Sequence, residues 1–283
     1  MPKDFQKTAN SSLELSLPHP GIIDIEGFDK QFQLRCYKPS SDLEPFVVHI
    51  WVQRLLQPLH PAQKPPVEVL SGPNMYLFFT PETAFIHSIT RREFKYDAFA
   101  SEVIAGVKFR PGGFYPFLNR PVSDLAPNEP LASVFPNVDT VFTKDLLSQS
   151  DVEIVARLQA LLQNKQPKQD KNLELVTKII NSLGSDTSPK TVRSVAQAFR
   201  MSERSVQLLF RTYVGVGLKW IITRKRLLET MNRVQGQSNP SWAEAAAELG
   251  YSSQSHFSRE FKDILGVTPS QYLKNLLGLG SRT

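Results

Sequence analysis

Two stretches of the sequence, Thr191–Gly217 and Ser241–Thr268, carry polar side chains at helical spacing. Arginine can bond to the O6 and N7 atoms of guanine, glutamine can pair with adenine, and serine can reach bases or phosphates. The predicted outward faces hold Glu203, Arg204, Gln207, Leu208 and Arg211 in the first stretch, and Gln254, Ser255, Ser258, Arg259 and Lys262 in the second. The chemistry that these faces indicate is hydrogen bonding and charge pairing in a DNA major groove.

Both stretches predict the same structural unit, a short helix followed by a tight turn and a second helix. The residues that align between them are Ala196 with Ala246, Met201 with Tyr251, Val206 with Phe257, Phe210 with Phe261, and Gly215 with Gly266. Ser202 and Ser253 are predicted to cap the start of each second helix, and Gly215 and Gly266 to end it in a left-handed conformation. The sequence therefore predicts two helix-turn-helix motifs.

The segment Leu218–Gln235 lies between the motifs and predicts one amphipathic connecting helix. At ~1.5 Å per residue it would be about 27 Å long. A rigid connector of this size could hold two recognition helices near the ~34 Å separation of successive major grooves. Arg224, Lys225 and Arg226 on it are either phosphate contacts or an ordinary solvated charge cluster.

The distribution of charge and proline predicts a division into two domains. From Lys171 to the end there are 16 Lys and Arg against 8 Asp and Glu, a net charge of +8, whereas the first 170 residues carry 17 against 19, a net charge of −2. All but three of the 21 prolines precede Lys171, and the polar stretch Asn164–Asn172 has the composition of a linker. We therefore expect a sensing or dimerisation domain over residues 1–165 and a basic, DNA-binding domain over residues 171–283.

The N-terminal part predicts strands and turns, and the whole chain an α+β multidomain fold. The predicted strands are Gln31–Pro39, Met75–Thr80, Thr83–Thr90 and Val103–Phe109, which favour an antiparallel barrel or sandwich with trailing helices. One trailing helix, Asp151–Gln163, has its apolar side chains Val152, Val155, Leu158, Leu161 and Leu162 at helical spacing. That stripe packs either on its own domain or on a second copy of the chain. The region beyond the linker is predicted to be all α.

Several classes of function find no support in the sequence. A single cysteine, Cys36, excludes an intrachain disulfide and a thiolate-rich zinc site, and no phosphate-binding loop, HExxH or GxSxG motif occurs. The histidines at 19, 49, 60, 87 and 256 lack the close pairing of a metal site, so His49 and His87 are better interpreted as strand or turn residues. No catalytic residue, metal or cofactor is predicted. Without an apolar spanning segment or a secretory signal, we expect a cytoplasmic protein with no membrane association.

The segment Gly250–Leu273 closely resembles the C-terminal signature of the AraC family of bacterial transcription regulators. The matching residues are Ala246, Gly250, Tyr251, Ser255, His256, Phe257, Arg259, Phe261, Lys262, Gly266, Thr268, Pro269 and Tyr272. The resemblance covers about 100 residues, Asn172–Leu273, and departs from the family pattern at Ala245 and Leu273. It implies that the second helix of each motif enters the major groove.

The resemblance also carries expectations for individual residues and partners. It implies base contacts for Arg204, Gln207, Gln254, Ser255 and Arg259, while Leu208 either touches a thymine methyl or leaves the first helix less discriminating. The segment Gly106–Leu118 is similar to one found in N-terminal domains attached to this family. The implied partners are double-stranded DNA and RNA polymerase, with a small-molecule effector and a second copy of the chain as further candidates. The function that follows is a transcription activator controlled by a ligand of the N-terminal domain, or alternatively by a protein partner.

Overall fold

The computed structural model describes residues 14–15, 31–56, 67–69, 72–89, 94–96, 101–118, 120–183, 191–234, 241–248, 251–265 and 267–276. Its strands are β1 (Glu14–Leu15), β2 (Phe32–Tyr37), β3 (Val47–Leu55), β4 (Val67–Val69), β5 (Tyr76–Phe79), β6 (Ala84–His87), β7 (Phe94–Tyr96), β8 (Val103–Phe109) and β9 (Glu129–Pro130). They form an antiparallel seven-stranded sheet in the order β1-β2-β3-β8-β5-β6-β9 and a separate β4-β7 ribbon. The expected mainly-β N-terminal part is confirmed.

The strands agree with the sequence prediction at β8, which runs over the predicted residues, and at β2, β5 and β6, which lie inside the predicted runs. His49 and His87 lie in strands, as expected. The sequence prediction missed β3, although this strand pairs with β2 on one side and with β8 on the other. It therefore joins β1 and β2 to the rest of the sheet.

Nine helices of the described residues follow the strands and include the expected C-terminal helical region. They are α1 (Thr140–Leu147), α2 (Asp151–Gln163), α3 (Lys171–Ser182), α4 (Val192–Ala198), α5 (Glu203–Tyr213), α6 (Leu218–Val234), α7 (Trp242–Glu248), α8 (Gln254–Leu265) and α9 (Pro269–Leu276). Short 3₁₀ turns occur at Tyr115–Phe117, Val122–Asp124 and Leu131–Ser133. Among the described helices, none combines the length and the apolar character that a bilayer crossing requires.

Helix α2 is fixed to the sheet at its first residue. Ser150 caps the helix, and the Asp151 carboxylate accepts hydrogen bonds from Arg54 Nε at 2.7 Å, Tyr37 Oη at 2.9 Å and Arg35 at 3.1 Å. Burial by itself would raise the pKa of Asp151, but the hydrogen bonds and the Arg54 charge outweigh it and lower that pKa. One largely buried carboxylate therefore joins α2 to β2 and β3.

The apolar stripe of α2 faces the protein's own core. Its buried residues are Ile154, Val155, Leu158 and Leu162. Val152, which the helical spacing placed in this stripe, is instead 45% exposed. Asp151 lies on the same face as these buried residues, so the next residue along the helix, Val152, points away from it. Packing on the chain's own sheet therefore accounts for the buried stripe.

The buried apolar residues form two clusters that do not coincide with the two domains predicted from the sequence. The larger cluster includes one face of the sheet, helices α1, α2 and α3, the first helix-turn-helix motif (α4 and α5) and the start of α6. The smaller cluster consists of Leu227, Trp242, Ala246, Phe257, Phe261, Ile264 and Tyr272. The first motif thus shares its core with the sheet, and the second has a core of its own.

Candidate nucleic-acid interface

The first motif consists of α4, a tight turn and α5. Thr191 caps α4 and exchanges hydrogen bonds with Ser194 in a capping box. In the turn, Arg200 has a positive φ of 53°, and the Met201 amide donates to the Ala196 carbonyl at 2.8 Å. Ser202 then accepts from the Ser205 amide at 3.0 Å and caps α5, as predicted.

The second motif repeats this geometry fifty residues later. The Tyr251 amide donates to the Ala246 carbonyl at 2.9 Å, which is the counterpart of the Met201 bond in the first turn. Ser253 accepts from the His256 amide at 3.1 Å and caps α8, as predicted. The structure confirms that two helix-turn-helix motifs are present.

The residues that end or follow the second helix of each motif also show features that were predicted from the sequence. Gly215 has a φ of +91°, and its amide bonds back to the Phe210 carbonyl at 3.0 Å, as a left-handed helix end requires. Its predicted counterpart, Gly266, lies outside the described residues, as does Gly250. Beyond α8, Thr268 caps α9 through the Gln271 amide, and Pro269 is the first helical residue.

In helix α5 the buried face consists of Val206, Leu209, Phe210 and Tyr213. On the opposite face Arg204, Leu208 and Arg211 are exposed, and Leu208 is 64% exposed. Gln207 differs from expectation because it is only half-exposed, and its amide oxygen lies against Gly217, where a Cβ would sit 2.7 Å away. The glycine leaves room for this side chain beside the start of α6.

In helix α8 the residues Phe257, Phe261 and Ile264 are buried. The predicted outward residues Gln254, Ser255, Arg259 and Lys262 are exposed, and Ser258 is half-buried. The rings of Trp242 and Tyr272 lie 5.9 and 5.8 Å from that of Phe261 and support the helix from behind. The structure therefore brings the predicted residues of each helix onto one solvent-facing side, with Gln207 and Ser258 partly covered.

The charges on these faces are unpaired within the part of the chain that the structure describes. None of Arg204, Arg211, Arg259 and Lys262 takes part in an ion pair there, whereas arginines of the N-terminal part do, as Arg54 does with Asp151. An exposed cation without a protein partner keeps its full capacity for phosphates or for guanine. Both helix faces therefore combine hydrogen-bonding groups with uncompensated positive charge.

The connecting helix corrects one expectation. Arg224, which was expected to be a phosphate contact or part of a solvated charge cluster, is only 1% exposed, and its guanidinium lies 5.2 Å from the Trp220 ring. Lys225 and Arg226 are half-buried. In an amphipathic helix packed on two sides, a long arginine side chain can be enclosed even where its neighbours in sequence are basic.

No signal in the sequence indicates how the first motif contacts the N-terminal part. The rings of Tyr115 and Tyr213 lie 4.0 Å apart, and the Tyr213 hydroxyl donates to Asp170. Burial, and secondly the bond to Asp170, raise the pKa of Tyr213 to about 12. The Gly215 backbone also approaches Val122, where a Cβ would lie 2.9 Å from the valine methyl. The end of α5 therefore packs directly on the sheet domain.

Comparison with known proteins gives matches to each part of the chain. A family model described as a helix-turn-helix domain matches residues 195–275, and one described as a domain of unknown function (DUF6597) matches residues 35–129. The invasion protein InvF of Salmonella typhimurium is 31% identical over 101 residues, which cover 35% of this chain and 45% of InvF. The HTH-type transcriptional activator AarP of Providencia stuartii is 30% identical over 89 residues, 31% of this chain and 65% of AarP.

A protein of Streptomyces antibioticus named as an AraC-like transcription regulator is 34% identical over 85 residues, 30% of this chain and 28% of that protein. The matched segments of this chain span less than two thirds of each of these relatives. Among solved structures, ToxT from Vibrio cholerae O395 is similar with 16% identity, coverage of 88% of this chain and 99% of that one, and a TM-score of 0.37. Through its C-terminal double helix-turn-helix region, the chain is similar to AraC-like bacterial transcription regulators.

Proposed function

We propose that this protein is a sequence-specific DNA-binding transcription regulator that activates genes through RNA polymerase and acts by binding and not by catalysis. Residues 171–283 would bind DNA, and residues 1–165 would sense a ligand and hold a second copy of the chain. The observation that carries the proposal is the pair of exposed helix faces on α5 and α8, whose cations have no partner among the described residues. Such faces fit the donor and acceptor pattern of the major groove.

We assign different roles to the residues of the two faces. Arg204 on α5 and Gln254, Ser255 and Arg259 on α8 would contact base edges, because they are exposed near the first turns of their helices. Arg211 and Lys262 lie further along and would contact phosphates, as would the half-buried Ser258. Leu208 would touch a thymine methyl, and Gln207 would first have to leave Gly217.

The contact between α5 and the N-terminal part supports control by a ligand. Because Tyr213 packs on Tyr115 and Gly215 packs on Val122, a change in the sheet domain would act directly on the end of the first recognition helix. The second motif, with its separate core, would feel such a change only through α6. A ligand that favours one arrangement of this contact would thereby shift the affinity for DNA.

The test is selection of bound sequences from a genomic fragment library with the full chain, followed by titration of single-base variants of the selected site. Arg259→Ala and Gln254→Ala are expected to weaken specific binding by ~1–3 kcal/mol each and to relax preference at particular positions. Lys144→Ala, at an exposed lysine of α1, is the matched control and should leave binding unchanged. Equal weakening of every sequence by Arg259→Ala would instead make Arg259 a phosphate contact, and failure to select any site would refute the proposed function.

A further inference from the structure

Gln207 on α5 and Gly217 lie against each other at the point where α6 begins. Gly217 immediately precedes the first residue of α6, and its carbonyl accepts a hydrogen bond from the Trp220 amide at 3.0 Å. A Cβ at Gly217 would be only 2.7 Å from Gln207 Oε1 and 3.8 Å from Gln207 Cδ. The carboxamide of Gln207 therefore lies in the space that a side chain at position 217 would fill.

The second motif has the same two positions but reverses the sizes of their side chains. The alignment of the motifs pairs Gln207 with Ser258 and, at the same offset, Gly217 with Thr268. Thr268 has the side chain that Gly217 lacks, and its hydroxyl caps α9 by accepting from the Gln271 amide at 3.3 Å. The first motif thus combines a long side chain with a glycine, and the second combines a short side chain with a threonine.

The contact with Gly217 holds Gln207 away from the solvent-facing side of α5. Arg204 and Leu208 on that side are exposed, whereas Gln207, which lies between them in sequence, is half-buried. Residues three apart on a helix are neighbours, so a Gln207 side chain displaced from Gly217 would project beside Arg204. There its carboxamide would be placed to pair with N6 and N7 of adenine, the base contact for which glutamine is suited.

We propose that Gly217 is a specificity-determining residue that acts through the position of Gln207. By leaving room for the carboxamide beside α6, the glycine withholds an adenine contact from the first motif. Base recognition by α5 then depends on Arg204 and Leu208. This inference rests on the proposed function, in which α5 enters the major groove, and it identifies which polar residue of that helix is kept from the bases.

Backbone conformation does not account for the glycine at position 217. Gly215, two residues earlier, has a φ of +91°, which is unfavourable for a residue with a Cβ, but the φ of Gly217 lies outside this left-handed region. Threonine is about as favourable as glycine at the start of a helix, and both are better there than alanine. Threonine is therefore compatible with the start of α6, and the atom that it would displace is the mobile end of the Gln207 side chain.

The experiment measures binding of the full chain to the selected DNA site and to all its single-base variants. In Gly217→Thr, which copies the second motif, we expect preference for adenine to rise by at least ~5-fold at one position. That position should lie in the half of the site where Arg204→Ala relaxes base preference. Gly217→Ala should shift preference in the same direction, because it adds the same Cβ. Gly215→Ala is the matched control and should weaken binding to all sites together.

Substitution of Gln207 tests whether its side chain causes the new preference. Gln207→Ala alone should change the affinity for each sequence of the panel by less than ~2-fold, because the withheld side chain makes no base contact. Combined with Gly217→Thr, it should remove the gained preference for adenine, so that a double-mutant cycle shows coupling between the two positions. A gain that persists in the double variant, or a relaxed preference in Gln207→Ala alone, would overturn the inference.

Thermal unfolding separates a specificity role of Gly217 from a structural one. Gly217→Thr should leave the Tm unchanged or raise it, because the threonine hydroxyl can cap α6. A lower Tm together with weaker binding to every sequence would mean that the glycine serves the fold, and would overturn the inference. Unchanged base preference in both Gly217 variants would overturn it too, while leaving the proposed function in place. Failure to select any DNA site would refute the proposed function, and the inference would fall with it.

Discussion

Asp151 shows how much of this fold depends on one side chain. Its carboxylate is 10% exposed and holds Arg54 and Arg35, whose side chains are 33% and 39% exposed, together with the Tyr37 hydroxyl. Removing its charge leaves two arginines that can partly regain water, so the cost should be that of lost charge-assisted hydrogen bonds and not that of a fully buried cation.

We predict that Asp151→Asn lowers the free energy of unfolding by ~1–3 kcal/mol at neutral pH, measured by urea denaturation. Because the folded state lowers the pKa of this carboxyl, its stabilisation is present above the unfolded pKa of about 4 and disappears as the pH falls through the lower, folded value. The difference between the two proteins should therefore shrink at acidic pH. Asp145→Asn is the matched control, because the Asp145 carboxylate also pairs with an arginine, Arg157, but is 57% exposed. This substitution should lower the free energy of unfolding by less than ~1 kcal/mol.

Single residues also mark the limit of prediction from the sequence. Helical spacing correctly separated Phe257 and Phe261 from Arg259, because a repeated motif fixes the phase of its helix. The same spacing could not foresee that Arg224 is enclosed, since that depends on what packs against both sides of α6.

Among the elements, the helices of the two motifs were predictable and strand β3 was not. Serine caps, a left-handed glycine and a repeated apolar pattern are local signals that the sequence states directly. Strand β3, by contrast, has its buried residues on both faces, so VVHIWVQRL lacks the alternation that reveals a half-buried strand. Its place in the sheet follows from pairing with β2 and β8, which are distant in sequence.

Gly215 forms the C-terminal end of α5. Its φ of +91° is unfavourable for a residue with a side chain, and its missing Cβ is needed because Val122 would lie 2.9 Å away. We predict that Gly215→Ala lowers the free energy of unfolding by ~1–3 kcal/mol and weakens binding to all DNA sites together. Thermal unfolding and the single-base panel of the selected site measure both effects.

Combining Gly215→Ala with Val122→Ala separates the two causes. The double variant should recover the steric part of the loss and retain the backbone part, so a double-mutant cycle should show coupling between the positions. Additive effects would mean that Val122 does not limit the space at Gly215. A changed base preference at unchanged stability would mean that this helix end contacts DNA directly.

Taken as a whole, the molecule has a packing boundary that differs from its compositional one. Charge and proline change near residue 170, and the proposed DNA-binding domain begins there. The shared core, however, joins α5 to the sheet through Tyr115 and Val122, and leaves the second motif with a small cluster of its own. The composition of a region indicates what it binds. Which other regions unfold together with it depends on packing, and packing is known only from the three-dimensional contacts.

This division predicts that the second motif opens separately from the first. Stability within a protein varies between cooperative units, and a unit with few buried apolar residues opens at a lower free energy. We therefore expect the amides of α7 and α8 to exchange through one common opening, with a lower free energy of opening than the amides of α5. Native-state hydrogen exchange, followed by mass spectrometry at increasing denaturant, measures these free energies. The amides of α5 should instead have the same free energy of opening as those of β8, because both elements belong to the larger core.

Bound DNA provides the control for this measurement. Binding to a selected DNA site that both motifs contact should strongly slow hydrogen exchange at the α8 amides. The less stable unit gains the most protection because bound DNA raises its free energy of opening. Opening of α5 together with α8, at one free energy and apart from β8, would contradict the shared core and would make residues 171–283 a single folding unit. In that case a ligand in the sheet domain would lack the direct route to the first recognition helix that the contact at Tyr213 provides.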